Sequence, residues 1–277
     1  MSLNYTKLRR RPTVFLRIVG ISVDHFDHIL MQLEPLWQKK VLGTYKRPGR
    51  PFKLDLNNML LMLLIYYRTY ITQFYLGLQF DLDDANVCRI LRVLEPLVAQ
   101  IMDIQKSRTL TQHDLELLID ATEQPIERPQ TNQQLYYSGK KKRHTLKTEV
   151  RTTVTGEIVH ISSAVAGSVH DFALYKQQPP PPPTARIYVD SGYQGIDKLH
   201  AQTELPFKKS KNNPLDHDDK LYNRALSRIR VKVENVLAQL KVFKILSDRY
   251  RNKCRRYSIK FAIIAGLVNL KNGFVPV

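Results

Sequence analysis

An all-helical N-terminal half joined to an α/β half is what this 277-residue chain predicts, and three observations predict it. Through the first hundred residues apolar side chains recur at helical spacing, with no convincing alternating stretch. Beyond about Thr109 short apolar runs separated by turn residues take over, and two of them drive into an aspartate. After Asp216 a long amphipathic helix returns. The change of pattern places the domain boundary between residues 1–109 and 110–277.

In the helical half the periodic segments are Phe15 to Ile18, Phe26 to Leu33, Leu54 to Tyr67 and Val87 to Val98. The stretch from Asn57 to Val98 divides into a buried helix, a short second helix near Thr72 to Leu78, a turn, and a third helix with Asp83 as its N-cap. That succession is a helix-turn-helix. On the third helix Asp84, Asn86, Arg89 and Arg92 form a polar face opposite Val87, Ile90, Leu91 and Leu94, which makes Asn86, Arg89 and Arg92 candidates for DNA contact. A helical bundle without DNA contact is the plainer alternative. Just upstream, "KRPGRPFK" sets Arg47 and Arg50 in an extended, narrow backbone suited to an A·T-rich minor groove. It is equally readable as a basic linker.

The α/β half opens with "LELLIDATEQPIERP", in which Leu117, Leu118 and Ile119 form a strand ending in Asp120. Glu123 and Glu127 follow on what reads as a loop. "HTLKTEVRTTVTGEIVHISSAVA" predicts two strands joined at Thr155-Gly156. In "GSVHDFALYKQQ" the spacing of Ser168 and Asp171 is that of a capping box. "QQPPPPPT" is a polyproline II connector, leading to "IYVDSGYQG", a second strand that ends in an acid, Asp190. The last helix, from about Asp218 to Lys244, has Leu226, Ile229, Val233, Val236, Leu237, Leu240 and Phe243 on its apolar face. Asn223, Ser227, Arg230, Glu234 and Lys241 lie on another, and Asp216, Asp218 and Asp219 favour its dipole.

A net charge of +18, gathered into "KLRRR", "KRPGRPFK", "GKKKRHTLK" and "RYRNKCRRYSIK", calls for a polyanionic partner. Hydrophobic residues at 43% are enough for a real core. Cys88 and Cys254 suggest neither a disulfide framework nor a zinc site, and fit a reducing cytoplasm. The longest apolar run, Met59 to Tyr67, is too short to span a bilayer. A soluble, unsecreted protein with no membrane partner is expected.

Two strand-end aspartates and a glutamate on a late helix, in so basic a chain, suit metal-assisted phosphodiester chemistry. Hard oxygen ligands favour Mg²⁺, and two such ions about 3.5 to 4 Å apart can stabilise the attacking and leaving oxygens at phosphorus. Here "IDATEQPIERP", "YYSGKKKRHTLKTEV", "GSVHDFALYK", "VDSGYQG" and "RIRVKVENVLAQLKVFKIL" together resemble the DDE transposases of bacterial insertion sequences, in the branch that shares a catalytic domain with Harbinger-type endonucleases. The resemblance covers nearly the whole chain. It implies a ribonuclease-H-like fold, a mixed sheet with flanking helices, preceded by the all-α helix-turn-helix domain. It maps the acidic triad to Asp120, Asp190 and Glu234 as catalytic residues and ligands of two Mg²⁺ ions, with Mn²⁺ as a substitute.

It also implies an enzyme that binds the terminal inverted repeats of its element as double-stranded DNA, hydrolyses the ends and joins the freed 3′-hydroxyls to a target. Assembly as a homodimer or higher on DNA, and association with the nucleoid in the cytoplasm, follow from that role. Arg230 matches an arginine of the glutamate motif, touching phosphate or orienting Glu234. Ser227 departs from the tyrosine common at that place. Lys140, Lys141, Lys142 and Arg143 are expected to neutralise phosphates near the site, and Arg249, Arg251, Arg255 and Arg256 likewise. The alternatives are a retired transposase that only binds DNA, and an aspartyl-phosphate hydrolase. "IDAT" lacks the second aspartate of the latter's nucleophile loop, since Thr122 stands there.

Overall fold

The computed structural model describes residues 3–43, 52–104, 116–209 and 214–274. The expected boundary near Thr109, and Arg47 and Arg50 with it, lie outside the described residues. The chain divides into two compact units: Met1–Asp103 with Leu240–Asp248 and Cys254–Val277, and Ile104–Gln239 with Arg249–Lys253.

The first unit is helical. Helices α1 (Tyr5–Leu8), α2 (Pro12–Val19) and α3 (Val23–Trp37) come first, and a π turn at Gln38–Leu42 extends α3. Tyr5, Phe15 and Phe26 interlock between them, with Tyr5 stacked on Phe26 at 4.8 Å between centroids. The next three, α4 (Leu56–Thr69), α5 (Gln73–Phe80) and α6 (Asp84–Ile101), form the helix-turn-helix. Side-chain caps start each of them: Asp55 accepts the N–H of Asn58 at 2.9 Å, Thr72 that of Tyr75 at 3.2 Å, and Asp83 that of Asn86 at 2.7 Å. Each cap contributes about 1 kcal/mol. Apolar on nearly every side, α4 is buried along almost its whole length. The turn into α6 is tight because Gly77 lies against the Leu82 carbonyl oxygen so closely that a Cβ would overlap it.

The second unit is built on a mixed sheet of order β2-β3-β1-β6-β7. Strand β1 (Glu116–Pro125) is followed by α7 (Gln133–Tyr136), β2 (Tyr137–Ser138) and the long β3 (Arg143–Thr153). Strands β4 (Ile158–Ile161) and β5 (Val165–Ala166) pair with β3 after the turn at Thr155-Gly156, as the hairpin pattern predicts. Then come α8 (Asp171–Tyr175), β6 (Arg186–Tyr188), β7 (Thr203–Glu204) and α9 (His217–Lys241). β1 runs antiparallel to β3 and parallel to β6. Leu117, Ile119, Ile187, Val189 and Tyr193 share one buried cluster with Tyr175 of α8. On α9, Leu226, Val233 and Val236 are buried, as its apolar period predicts.

Beyond α9 only 249–253 stay with the sheet. Helix α10 (Tyr257–Lys271) buries residues all round its surface, so it can be covered only by other helices, and it packs on α6. The compact units therefore cut across the boundary drawn from sequence pattern: 240–248 and 254–277 join the helices and not the sheet. No described helix is long and apolar enough to cross a membrane.

Candidate active site

β1 carries Asp120 in mid-strand, since pairing continues to Pro125. Strand alternation decides where it points. Leu117 and Ile119 face the apolar cluster, so Asp120 faces the other side of the sheet, where Arg230 of α9 approaches it with Nη2 3.9 Å from Oδ2. Oδ1 accepts the N–H of Ala121 at 2.8 Å. Burial pushes the Asp120 carboxyl up to about 6; the charges of Asp190 and Asp171 push the same way, and the Ala121 N–H and Arg230 oppose them.

Asp190 reaches the same level by register. Leu118 pairs with Tyr188 across the parallel β1 and β6, and each aspartate stands two residues further on. Neighbouring strands lie about 4.8 Å apart, so Asp190, just past the end of β6, comes beside Asp120 in the middle of β1. Asp190 caps the single turn Ser191–Tyr193, its Oδ1 accepting the Gly192 N–H at 2.6 Å.

Glu234 lies one turn beyond Arg230 on α9, with an exposed side chain. The guanidinium of Arg230 is turned to Asp120, the first acid of the set. Among the described residues no group of three or more His, Cys, Asp or Glu side chains stands close enough to hold a metal ion. The charges of Asp190 and Asp171 reach Asp120, and Glu234 is left at the surface of α9.

Asp171 is the residue the spacing misassigns. Ser168 does not cap α8; its hydroxyl donates to the Leu135 carbonyl at 2.6 Å, and His170 occupies the cap position. The Ser168 spacing mimics a capping box, but the chain is pulled elsewhere by Lys147, whose ammonium donates to Asp171 Oδ1 at 2.7 Å and to the Val169 carbonyl at 2.6 Å. Glu123 also differs from expectation. It is on β1 and not on a loop, directly across from Lys147, with Nζ 3.6 Å from Oε1 and the Thr145 hydroxyl donating to Oε2 at 2.8 Å. The signal available for both was the acid-base pairing of β1 with β3, which only the register reveals.

Carboxylate oxygens are the donor type that a hard divalent cation takes. Carboxylates gather around Asp120 and Asp190 with one arginine, 3.9 Å from Asp120, and a fully buried hydroxyl, that of Tyr193, has no hydrogen-bond partner among the described residues. Burial first, then the charges of Glu149, Asp120, Asp171 and Asp190, hold that hydroxyl's pKa well above the ordinary tyrosine value.

The basic candidates fall in two places. Lys140, Lys141 and Lys142 occupy an exposed turn between β2 and β3, and Arg143 begins β3, also exposed. Arg249 and Arg251 are exposed on either side of Tyr250, which is buried and whose N–H donates to the Pro125 carbonyl at 2.7 Å. That hydrogen bond fixes both arginines beside the end of β1. Arg256 is a correction: it is bound to Glu95 of α6 through Nε at 3.0 Å, joining Lys260 in neutralising a buried carboxylate. In the helix-turn-helix, Arg89 is exposed on α6, as is Arg92. Asn86 and Arg89 are linked to the cap, with Arg89 donating to Asn86 Oδ1 at 2.8 Å. They line a groove of about 510 Å³ with Phe52, Lys53 and Asp81. Cys88 and Cys254 are both free thiols.

Comparison with known proteins agrees with this architecture. Residues 119–269 match the family model described as DDE superfamily endonuclease, and residues 52–103 that of the helix-turn-helix of DDE superfamily endonuclease. The chain is 36% identical to a probable transposase for insertion sequence element IS702 of Microchaete diplosiphon, over 92% of this chain and 93% of that one. It is 24% identical to a putative transposase for insertion sequence element IS112 of Streptomyces albus G, over 73% and 75%. No solved structure matches it significantly. With its helix-turn-helix ahead of a ribonuclease-H-like mixed sheet, the chain belongs to the DDE superfamily of transposases and endonucleases, of the bacterial insertion-sequence type.

Proposed function

We propose that this DDE-family protein binds the terminal inverted repeats of its own element, hydrolyses the phosphodiester at each end, and transfers the freed 3′-hydroxyl to target DNA. The observation that carries the reading is that Asp120 and Asp190 each stand two residues beyond a paired position of adjacent parallel strands, with too few cations among the described residues to neutralise them. Asp120, Asp190 and Glu234 would hold Mg²⁺, or Mn²⁺ in its place. When bound, two such ions would neutralise the gathered carboxylates and polarise the scissile phosphate.

The chain's own groups do the rest. Arg230, with its Nε unpartnered among the described residues, is placed to take a phosphate oxygen beside Asp120 or to orient Glu234 one turn away. The exposed Lys140, Lys141, Lys142 and Arg143, with Arg249 and Arg251, neutralise backbone phosphates and set the register of the duplex. Asn86, Arg89 and Arg92 contact the element ends from α6, with Arg47 and Arg50 upstream. Water attacks first, and in the joining step the DNA 3′-hydroxyl replaces it. Two ends must be joined, so the active form is a homodimer or larger on DNA.

A duplex carrying the element's own ends, incubated with Mg²⁺, tests this. Wild type should cleave, and Asp190→Asn and Glu234→Gln should bind without cleaving. Cleavage that survives both substitutions overturns the reading. The exposed Glu234 is what a second reading would cite, a retired transposase that only binds DNA; absence of cleavage by wild type under the same conditions selects it.

A further inference from the structure

Lys147 has an unusual load for one ammonium. Its side chain is 8% exposed and meets two carboxylates, Asp171 at 2.7 Å and Glu123 at 3.6 Å. One positive charge between two negative ones leaves the group net negative, inside a protein that is strongly basic elsewhere. Asp171 spends only Oδ1 on Lys147. Its other oxygen faces Gly192: a Cβ there would meet Asp190 Oδ1 at 2.8 Å and Asp171 Oδ2 at 2.9 Å. Both oxygens crowd the same side of Gly192, and they can stand there together because residue 192 has no side chain. Next in sequence, Tyr193 is fully buried with its hydroxyl unpartnered among the described residues. A buried hydroxyl calls for a partner, and the waters that Mg²⁺ retains can supply one.

We propose that Asp171 is a positioning residue of the acidic site, held by Lys147 and set beside Asp190 against Gly192, where it adds a negative charge that strengthens cation binding. This rests on the metal-dependent reading above. Asp171 acts through Asp190, and Lys147 keeps it from swinging away with α8.

Mn²⁺ titration of the full-length protein, followed by electron paramagnetic resonance, tests it alongside thermal unfolding in chelator. Asp171→Asn preserves size and the Oδ1 acceptor for Lys147. It should weaken Mn²⁺ binding at least about tenfold, the effect typical of groups behind the ligands, with the metal-free melting temperature unchanged or raised. Wild-type affinity in Asp171→Asn overturns the proposal, whether or not melting falls, because the residue is then structural. If that variant does not fold, Asp171→Ser takes its place: a tenfold loss supports the proposal and wild-type affinity overturns it. Asp190→Asn separates the two levels. If it loses Mn²⁺ while Asp171→Asn keeps it, only the present proposal fails; if it binds Mn²⁺ like wild type, the metal-dependent reading fails with it.

Discussion

Both units of this protein bury a carboxylate, and they treat it in opposite ways. In the helical unit Glu95 of α6 is 2% exposed and receives two cations, Lys260 at 2.6 Å and Arg256 at 2.5 Å. Asp120 in the sheet unit is also shielded, yet the arginine that approaches it stands 3.9 Å away and the other groups whose charge reaches it are acids. The first cluster is closed by its own chain. The second is left short of positive charge, which is the difference between a buried ion pair that serves the fold and one that awaits something from outside.

The sharpest way to break this comparison is at the proposed catalytic centre itself. Asp120→Asn or Asp190→Asn should reduce strand cleavage by about a thousandfold or more, since charge stabilisation at phosphorus is worth several kcal/mol. DNA binding measured by gel shift should survive. Equal losses of binding and cleavage would instead mean that these residues support the fold, like Glu95.

Glu95 itself gives the next largest effect. Glu95→Gln leaves Arg256 and Lys260 facing a neutral group in a buried place, and breaking such a pair costs about 3 to 5 kcal/mol. Chemical denaturation should show that loss. Burial already lowers the Lys260 pKa, with Glu95 holding it up, so the variant should release the ammonium's proton more readily. A stability change below about 1 kcal/mol, the range of exposed pairs, would show that the cluster is solvated after all.

A smaller effect distinguishes the two carboxylates by pH. The folded Asp120 carboxyl titrates near about 6 against 3.8 for the free group, so between those values the folded protein binds a proton that the unfolded chain has lost. Its contribution to stability therefore falls as pH rises through that window. The penalty is absent below the lower value, complete above the upper, and about 3 kcal/mol in size. In chelator, Asp120→Asn should remove that slope and be the more stable protein at neutral pH. Parallel stability curves for the two proteins would contradict the assignment.

Much of this was legible in the residues, for a physical reason. Helical period, N-caps and apolar runs are local, so α4, α5, α6 and the Asp83 cap follow from spacing, as do the strands that lead to Asp120 and Asp190, although β1 runs on past Asp120 to Pro125 and β6 stops at Tyr188. What spacing could not supply is register. Lys147 opposite Glu123 is a fact of how β1 lies on β3, and without it Asp171 reads as a cap and Glu123 as a loop residue. The burial of Glu95 by α10 joins residues 161 positions apart, and no local pattern encodes that. An arginine in a basic run looks solvated on sequence alone, which is why Arg256 reads as a phosphate ligand until α6 and α10 are brought together.

The same contrast between closed and open charge predicts the gentlest effect, at the surface turn before β3. Lys140, Lys141 and Lys142 are exposed, and each phosphate that is no longer neutralised should lower the slope of log affinity against log salt by about 0.9. Replacing all three by alanine should weaken duplex binding at low salt, with little change at high salt, and leave thermal stability alone because no buried acid depends on them. Arg256→Ala is the control from the closed cluster. It should lower the melting temperature and leave the salt slope unchanged, and a change of slope in that variant would mean that its guanidinium leaves Glu95 to meet DNA.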